Sequence, residues 1–523
     1  MKKNSNLLWI TVIVLGWLFD FLFWKQSFGV NFAIFTVLCL VGGFLILWMD
    51  QKHAARGTLW LIPLILFFAA ITFVRAEPMT VLLGVVFTLF LMGVLAVSFL
   101  GGRWFKYGVA DYFNNFLKLI GSMIARPIVF NSETHREQKE NGVSRPKINP
   151  WPIVRGLVIA LPIVAIFAAL LASADTIFSN ELNSFLKLFF NLENLPEYIF
   201  RLCYILIIAY GLAGTFLHAA SQSKDEKLAG EDKPFVSPFL GFTETTIVLG
   251  SVAVLFAAFV IVQFRYFFGG QANINIQGFT YSEYARRGFG ELVAVALFSL
   301  LMILGLGVIT RRENEVQRRV YSGLSVVIVV LVMVMLVSAY QRLNLYETAY
   351  GFSRLRTYTH VALIWIGLLL SAAVVLEILR RERFMALAIL TASLGFAISL
   401  SLLNVDGFIV RQNVWRAAQG KGLDVPYLVS LSTDSVPVLV DIYQSPSYPG
   451  LTRDAVGAVL FCRLQSDASH ANTDWRSLTL IQWQAERALK KVQGQLAQYH
   501  MVNSQQEFLT PGSVLYGCYR GND

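Results

Sequence analysis

Long runs of apolar residues dominate the pattern of this sequence from its start to about residue 403. A bilayer core of ~30 Å requires roughly 20 helical residues to cross, and runs of 17 or more are candidates. The predicted spans are Leu7–Trp24, 30–49, 58–74, 79–100, 153–174, 198–218, 245–264, 289–309, 320–339, 360–379 and 384–403.

These runs predict helices, because backbone groups in lipid must find their hydrogen-bond partners within the same segment. The alternating apolar and polar pattern of an outer-membrane barrel is absent from the sequence. Lys2 and Lys3 precede the first run, but no small-residue cleavage site follows it, so we interpret it as an uncleaved span. The predicted fold class is all-α: a polytopic membrane protein of about eleven transmembrane helices with a small, mostly helical extracytoplasmic C-terminal domain.

Polar stretches between the runs suggest four regions. Trp104–Phe130 has apolar residues at helical spacing and predicts a helix lying in the membrane interface, and the polar stretch 131–150 follows it. The tail contains short helical patterns and a longer amphipathic one at Asp474–Tyr499. The predicted regions are four transmembrane helices in 1–100, a cytoplasmic amphipathic helix and polar linker in 101–152, a seven-helix membrane domain with motif-bearing outer loops in 153–403, and the extracytoplasmic domain in 404–523.

The distribution of basic residues predicts the orientation. Loops on one side carry most of the Lys and Arg residues, including eight in 101–152, whereas the opposite loop 175–197 carries only Lys187. Because basic loops stay in the cytoplasm, we expect a cytoplasmic N-terminus in a bacterial inner membrane. An odd number of spans then places the tail outside. Several later outer connections are nevertheless rich in arginine, which suggests a local role in binding or pairing.

Composition narrows the class of function. The chain is 56% hydrophobic and 15% charged with a net charge of +10, and the excess lies in loops between spans. A nucleic-acid binder concentrates basic residues on a soluble domain, so we expect no nucleic-acid partner. The four cysteines fit no metal pattern and no cofactor motif occurs, so neither a metal nor a cofactor is expected. Cys462 and Cys518 share the tail and could pair in an oxidising compartment, or could remain free.

Three clusters of arginine, tyrosine and carboxylate residues are the candidate sites. In the first, Thr280 and Glu283 form a capping box that predicts a helix start near Tyr281. Either these side chains form a salt-bridged lid, or the arginines grip a phosphate or carboxylate in bidentate fashion. In the loop at 340–358, the tyrosines either lie at the level of the lipid headgroups or combine with the arginines to bind a sugar or a polar headgroup, and Glu347 is either a base or an ion-pair partner. The stretch after the last span, Asn404–Arg416, fits a short helix resting on the membrane surface. The candidate binding residues are Tyr281, Glu283, Tyr284, Arg286, Arg287, Glu291, Arg342, Tyr346, Glu347, Arg354, Arg356, Asn404, Asp406, Arg411, Asn413 and Arg416.

A family resemblance rests on four motifs in order: TYSEYARRGFGEL, RLNLYETAYGFSRLR, NVDGFIVRQNVWR and LDVPYLVSLSTDSVP. With these motifs the chain resembles bacterial polytopic membrane proteins grouped as domains of unknown function 4153 and 4173. The resemblance implies a helical inner-membrane protein. It implies no particular activity, cofactor or catalytic residue.

Three functions remain open. The favoured hypothesis is a non-enzymatic envelope protein, embedded in the lipid bilayer, whose outer face binds an anionic lipid, a glycan or a protein partner. The second is a glycosyltransferase-like membrane enzyme acting on a lipid-linked substrate, with Asp20, Glu283 and Glu347 as candidate carboxylates. Its resemblance to such enzymes is one of layout only. The third is a passive transporter, for which the apolar spans supply few polar side chains.

Overall fold

A computed structural model describes residues 5–140, isolated positions between 160 and 178, and residues 195–224, 228, 238–267, 289–468, 474–502 and 507–518. Most of these residues are helical. The helices are α1 Ser5–Phe23, α2 Val30–Met49, α3 Arg56–Leu59, α4 Leu61–Val74, α5 Pro78–Ser98, α6 Val109–Glu140, α7 Leu195–Ser221, α8 Phe242–Phe267, α9 Phe289–Ile309, α10 Glu315–Tyr350, α11 Arg354–Ile378, α12 Met385–Leu403, α13 Val405–Ala418, α14 Val425–Val429, α15 Val436–Gln444, α16 Gly450–Ala468 and α17 Leu480–Leu496.

Ten helical stretches in the described part of the chain are long and apolar enough to cross a membrane. They correspond to ten of the eleven predicted spans. The remaining one, 153–174, lies outside the described residues apart from isolated positions. The prediction of a polytopic all-α membrane protein is confirmed.

Contacts divide the chain into two units, of which the first comprises Met1–Lys25, Val37–His53 and Leu117–Ser223. Within it, α1 packs closely on α7: a side chain at Gly16 would place its Cβ 2.7 Å from the Ile205 carbonyl oxygen. At one end of this helix pair, Arg201 Nη2 donates to Asp20 Oδ2 at 2.6 Å. Asp20, a candidate carboxylate from the sequence, is thus held in an ion pair.

The second unit comprises Gln26–Thr36, Ala54–Phe116 and Lys224–Asp523. Its membrane part contains the helix pair α4–α5 and the group α8 to α12, in which α10 packs against α8, α9 and α11. Glu77 begins α5 as its N-cap, accepting hydrogen bonds from the backbone N–H groups of Met79 at 3.1 Å and Thr80 at 2.7 Å. This cap satisfies two donors that the helix itself leaves free.

The tail packs α13, α15, α16 and α17 around a shared apolar core. After α17, β1 (His500–Met501), β2 (Glu507–Leu509) and β3 (Leu515–Gly517) form an antiparallel sheet in that order. Leu480–Leu496 agrees with the predicted amphipathic helix, and its Thr479 and Gln482 form a capping box. Cys462 and Cys518 are joined by a disulfide, with Cα atoms 5.5 Å apart.

Two segments differ from the sequence-based expectation. Helix α6 continues to Glu140, through half of the stretch predicted as a polar linker. Helix α10 continues to Tyr350, so the predicted loop at 340–358 is helical except for residues 351–353. The length of an apolar run indicates how much of a helix lies in lipid. The helix itself can continue past the end of the run where no glycine or proline interrupts it. Gly351, with φ of 86°, ends α10.

Candidate anion-binding site

Three cationic side chains converge on the carboxyl end of α10. Arg416, from α13, donates through Nη2 to the carbonyl oxygens of Thr348 at 3.2 Å and Ala349 at 3.1 Å. Lys421 Nζ donates to the same Thr348 oxygen at 2.8 Å. Arg356, from the first turn of α11, donates to the carbonyl oxygen of Gly351. We call Arg356, Arg416 and Lys421 the cation cluster.

The cation cluster has no carboxylate partner among the residues that the structure describes. Helix carboxyl ends do attract cations, but their partial charge is only about −0.5. Three positive charges therefore exceed what the end of α10 can balance. The surplus favours an additional anion.

Arg416 is the most constrained member of the cluster. It is only 8% exposed, and its Nε has no hydrogen-bond partner among the described atoms. Burial lowers the pKa of Arg416, and repulsion by Arg356 lowers it further. An oxyanion between the two guanidinium groups would relieve both effects through charge-assisted hydrogen bonds.

Aromatic and amide side chains hold the cluster in place. The Arg356 guanidinium lies over the Tyr346 ring, 4.1 Å from its centroid, in a cation–π contact. Asn413 forms two hydrogen bonds to the backbone of Phe352 in the α10–α11 connection: its Oδ1 accepts from Phe352 N at 2.8 Å and its Nδ2 donates to Phe352 O at 2.9 Å. A Cβ at Gly351 would lie 2.5 Å from Arg416 Nη1, so the connection fits against α13 only with glycine at this position.

An ion pair beside the cluster fixes α11 against the tail. Arg354 donates to both oxygens of Asp406, from Nε at 2.8 Å and from Nη2 at 2.6 Å. Asp406 is fully buried and also accepts from Ser432 N at 2.6 Å. The Arg354 backbone N–H donates to the Tyr427 hydroxyl at 3.0 Å. These bonds occupy Arg354, so it positions the site and is not a free anion ligand.

A second buried carboxylate joins the tail to the α4–α5 connection. Asp434 accepts from Ala76 N at 2.7 Å, Ser432 Oγ at 3.1 Å and Arg75 Nη1 at 3.4 Å. Burial raises the pKa of Asp434 despite these donors. Tyr358 donates to Glu77 in the same connection. None of Arg75, Glu77, Tyr358 and Asp434 was a candidate from the sequence, although the charged Arg75 and Glu77 in a short connection were a usable signal.

Glu347 and His360 form a buried pair one helical turn before the end of α10. Glu347 Oε2 and His360 Nε2 are 2.8 Å apart, and Glu347 is 1% exposed. The other atoms, Glu347 Oε1 and His360 Nδ1, have no described hydrogen-bond partner. The Tyr340 ring meets the His360 ring edge-on at 4.7 Å.

The other predicted residues fall into two groups. Asn404 is the N-cap of α13 in a left-handed conformation, whereas Arg411 and Glu291 are exposed on α13 and α9, and Arg342 is half-buried on α10. The remaining candidates lie outside the described residues: Tyr281, Glu283, Tyr284, Arg286 and Arg287. The structure therefore brings together Tyr346, Arg356, Asn413 and Arg416 from the predicted set, and adds Lys421. No group of three or more metal-ligating side chains occurs within the described ranges.

The helices that build this site, α10, α11 and α13, lie within a region that matches a known family. The family model described as Domain of unknown function (DUF4153) covers residues 61–442. This chain belongs to that family. The DUF4153 region includes all three members of the cation cluster as well as Asp406 and Asp434. Searches of curated proteins and of solved structures found no match.

Proposed function

We propose that this DUF4153 protein is a non-enzymatic envelope protein that binds an anionic partner, a lipid, a glycan or a protein, at the cation cluster. The observation that carries the proposal is Arg416, a buried cation with a free Nε beside a second guanidinium. A phosphate or carboxylate matches the chemistry of these donors, since guanidinium groups bind both through paired N–H groups. Tyr346 is suited to pack against a sugar or headgroup that carries the anion.

We further propose that the cluster faces the outside of a bacterial inner membrane. Basic residues in the loops favour a cytoplasmic N-terminus, and eleven spans would then place the tail outside. The Cys462–Cys518 disulfide supports this orientation, because disulfides persist in oxidising compartments. The cation cluster belongs to the same end of α10 and α11 as the tail helix α13, so it would share that location.

The experiment that tests this proposal removes Arg356, which is half-buried and donates to one carbonyl, so its loss should spare the fold. The thermal unfolding midpoint of the purified full chain is measured with inorganic phosphate and with chloride at equal ionic strength. Phosphate should raise the midpoint, since a ligand stabilises the folded state by mass action. In Arg356→Gln the apparent phosphate affinity should fall about 10- to 100-fold.

Arg411→Gln is the matched control, because Arg411 is exposed on α13 and outside the cluster. It should respond to phosphate as the wild type does. Equal phosphate stabilisation of Arg356→Gln and wild type would refute binding at the cluster.

A second candidate function, a membrane enzyme, is favoured by the Glu347–His360 pair. A groove of about 280 Å³ between α10 and α11 reaches Tyr340, whose ring contacts His360. Apart from Tyr340 and Ser371 the groove is lined by apolar side chains and a glycine, and it could receive a lipid tail. Glu347 Oε2 is hydrogen-bonded to His360, whereas its Oε1 has no partner among the described atoms, and a carboxylate held in this way is a chemically competent general base. Under this alternative, Glu347→Gln would abolish turnover of a lipid-linked substrate and leave phosphate binding intact.

A further inference from the structure

A cavity of about 480 Å³ lies at the opposite end of α10 from the cation cluster. Its volume is within the range of about 300–1,000 Å³ that is typical of small-molecule sites. It is lined by Arg312, Arg318, Arg319, Ser322, Glu377, Ile378 and Arg380. We call it the arginine pocket.

Two of the four arginines in this pocket are neutralised by protein carboxylates. Arg312 Nη1 donates to Glu377 Oε1 at 3.0 Å, and its guanidinium lies 4.7 Å from the centre of the Tyr321 ring. Arg380 forms an ion pair with Glu315. These contacts engage Glu377, the glutamate that lines the pocket, and Glu315 at the start of α10.

The other two arginines, Arg318 and Arg319, are exposed and form no ion pair within 4 Å in the part of the chain that the structure describes, although Glu315, one helical turn earlier, attracts both. They are the fourth and fifth residues of α10, near its amino end. That end carries a partial positive charge of about +0.5, which disfavours cations. The preference for basic residues in cytoplasmic loops accounts for arginines in this connection, but it does not require them to line one cavity.

Apolar surroundings indicate what kind of anion the arginine pocket takes. Ile378 lines the pocket and is 58% exposed, and Val316 at the start of α10 is 72% exposed. A separate apolar groove of about 400 Å³ runs between α11 and α12. Its lining residue Leu376 is adjacent in sequence to Glu377 of the pocket. Exposed apolar side chains at the ends of membrane-spanning helices lie against acyl chains, which favours an anion that carries a lipid tail.

We propose that the arginine pocket binds the phosphate headgroup of an anionic phospholipid, with Arg318 and Arg319 as its direct ligands. Basic pockets between transmembrane helices are suited to such headgroups. The acyl chains lie along the exposed apolar surface of α10 and α11. This site is separate from the cation cluster and independent of the function proposed for it.

The test is a lipid titration of the purified full chain in neutral detergent, with the thermal unfolding midpoint as the readout. Phosphatidylglycerol should raise the midpoint of the wild type in a saturable way, and phosphatidylcholine at the same mole fraction should not. The variant pair Arg318→Gln and Arg319→Gln should bind phosphatidylglycerol about tenfold or more weakly than a charge-matched control.

The control pair is Arg311→Gln and Arg381→Gln, which removes two exposed charges from the connections before α10 and after α11 without touching the pocket lining. Equal losses in both pairs would overturn the proposal, because they would mean diffuse attraction to a basic surface. Stabilisation by inorganic phosphate that the Arg318→Gln and Arg319→Gln pair loses to the same extent as stabilisation by phosphatidylglycerol would overturn the lipid assignment, because phosphate bound at the cation cluster does not depend on this pair. If the glutamine pair does not fold, Arg318→Lys with Arg319→Lys keeps the charge and removes the paired donors, and it should still bind more weakly than wild type.

Discussion

Asp406 and Asp434 illustrate how this chain keeps carboxylates away from solvent. Each is fully buried, and each accepts both a backbone N–H and an arginine donor. Such pairs hold elements together mainly because removal of one partner leaves the other charge uncompensated. Arg416 has no such carboxylate partner among the described residues, since it donates only to the carbonyl oxygens of Thr348 and Ala349.

Asp406→Asn tests the role of the ion pair at this scale. The substitution removes the negative charge opposite Arg354, whose side chain is 27% exposed. We expect the free energy of unfolding to fall by about 2 kcal/mol or more, with partial exposure of Arg354 moderating the loss. Thermal or denaturant unfolding of the purified protein measures the change.

Asp441→Asn supplies the comparison, because Asp441 is an exposed carboxylate of the same tail with no described ion pair. It should alter stability by less than about 0.5 kcal/mol. Similar losses in the two variants would show that the Arg354–Asp406 pair contributes little.

Only some of these charged residues could be predicted from the sequence. Arg354 and Asp406 were both candidates, but their pairing was not foreseeable because 52 residues separate them. Arg75 and Asp434 are 359 residues apart and were both missed. Local patterns show which residues carry charge near a membrane surface, whereas the partner of each charge depends on how helices pack.

At the scale of elements, the α10–α11 hairpin shows what hydropathy can and cannot predict. Ten spans were predicted correctly because length and apolar content are local properties. The end of α10 was predicted wrongly because its last turns are polar but remain helical. With about 1.5 Å per residue, its 36 residues extend for about 54 Å, well beyond a ~30 Å hydrocarbon core. The absence of glycine and proline from Tyr340 to Tyr350 was the available signal.

Gly351→Ala tests the hairpin connection. Its φ of 86° and ψ of 173° belong to a region that is essentially restricted to glycine, and the new Cβ would approach Arg416 Nη1 and Asn413 Oδ1. We expect the free energy of unfolding to fall by about 2–3 kcal/mol and phosphate binding at the cation cluster to weaken.

Gly420→Ala isolates the contribution of the contact. Gly420 also has positive φ, at 87°, but open space surrounds the position of its Cβ. Because Gly420 precedes Lys421 of the cation cluster, the two variants are compared by stability alone: Gly420→Ala should show the backbone effect without the contact and lose less free energy of unfolding than Gly351→Ala. Equal losses in the two variants would argue against a specific fit between Gly351 and Arg416.

At the scale of the whole molecule, the tail depends on one covalent link between distant parts of its sequence. The disulfide joins residues 56 positions apart, from Cys462 in α16 to Cys518, which follows β3. For a loop of this length, chain entropy predicts a stabilisation of about 4 kcal/mol, and measured values are often smaller. The sequence left the pairing open, since cysteine spacing does not determine the distance between two Cα atoms.

Replacing Cys462 and Cys518 together with serine should lower the free energy of unfolding by about 2–4 kcal/mol. Cys203→Ser, at an exposed unpaired cysteine, should have little effect. Thiol alkylation of the native chain in membranes, before and after reduction, measures pairing directly. Reaction of both cysteines without reductant would contradict the disulfide and weaken the case for an extracytoplasmic tail.

The length of α10 has a consequence for the two sites described above. Arg318 and Arg319 lie in its opening turns, and Thr348 and Ala349, whose carbonyl oxygens receive Arg416, lie in its final turn. One uninterrupted helix thus fixes both the distance and the relative rotation between the arginine pocket at its amino end and the cation cluster at its carboxyl end. Inserting a single residue at its middle would advance one half by about 1.5 Å and rotate it by about 100°. The residues of α10 at the two sites could then no longer both face their partners on the neighbouring helices. We therefore expect the middle of α10 to tolerate substitutions far better than insertions or deletions.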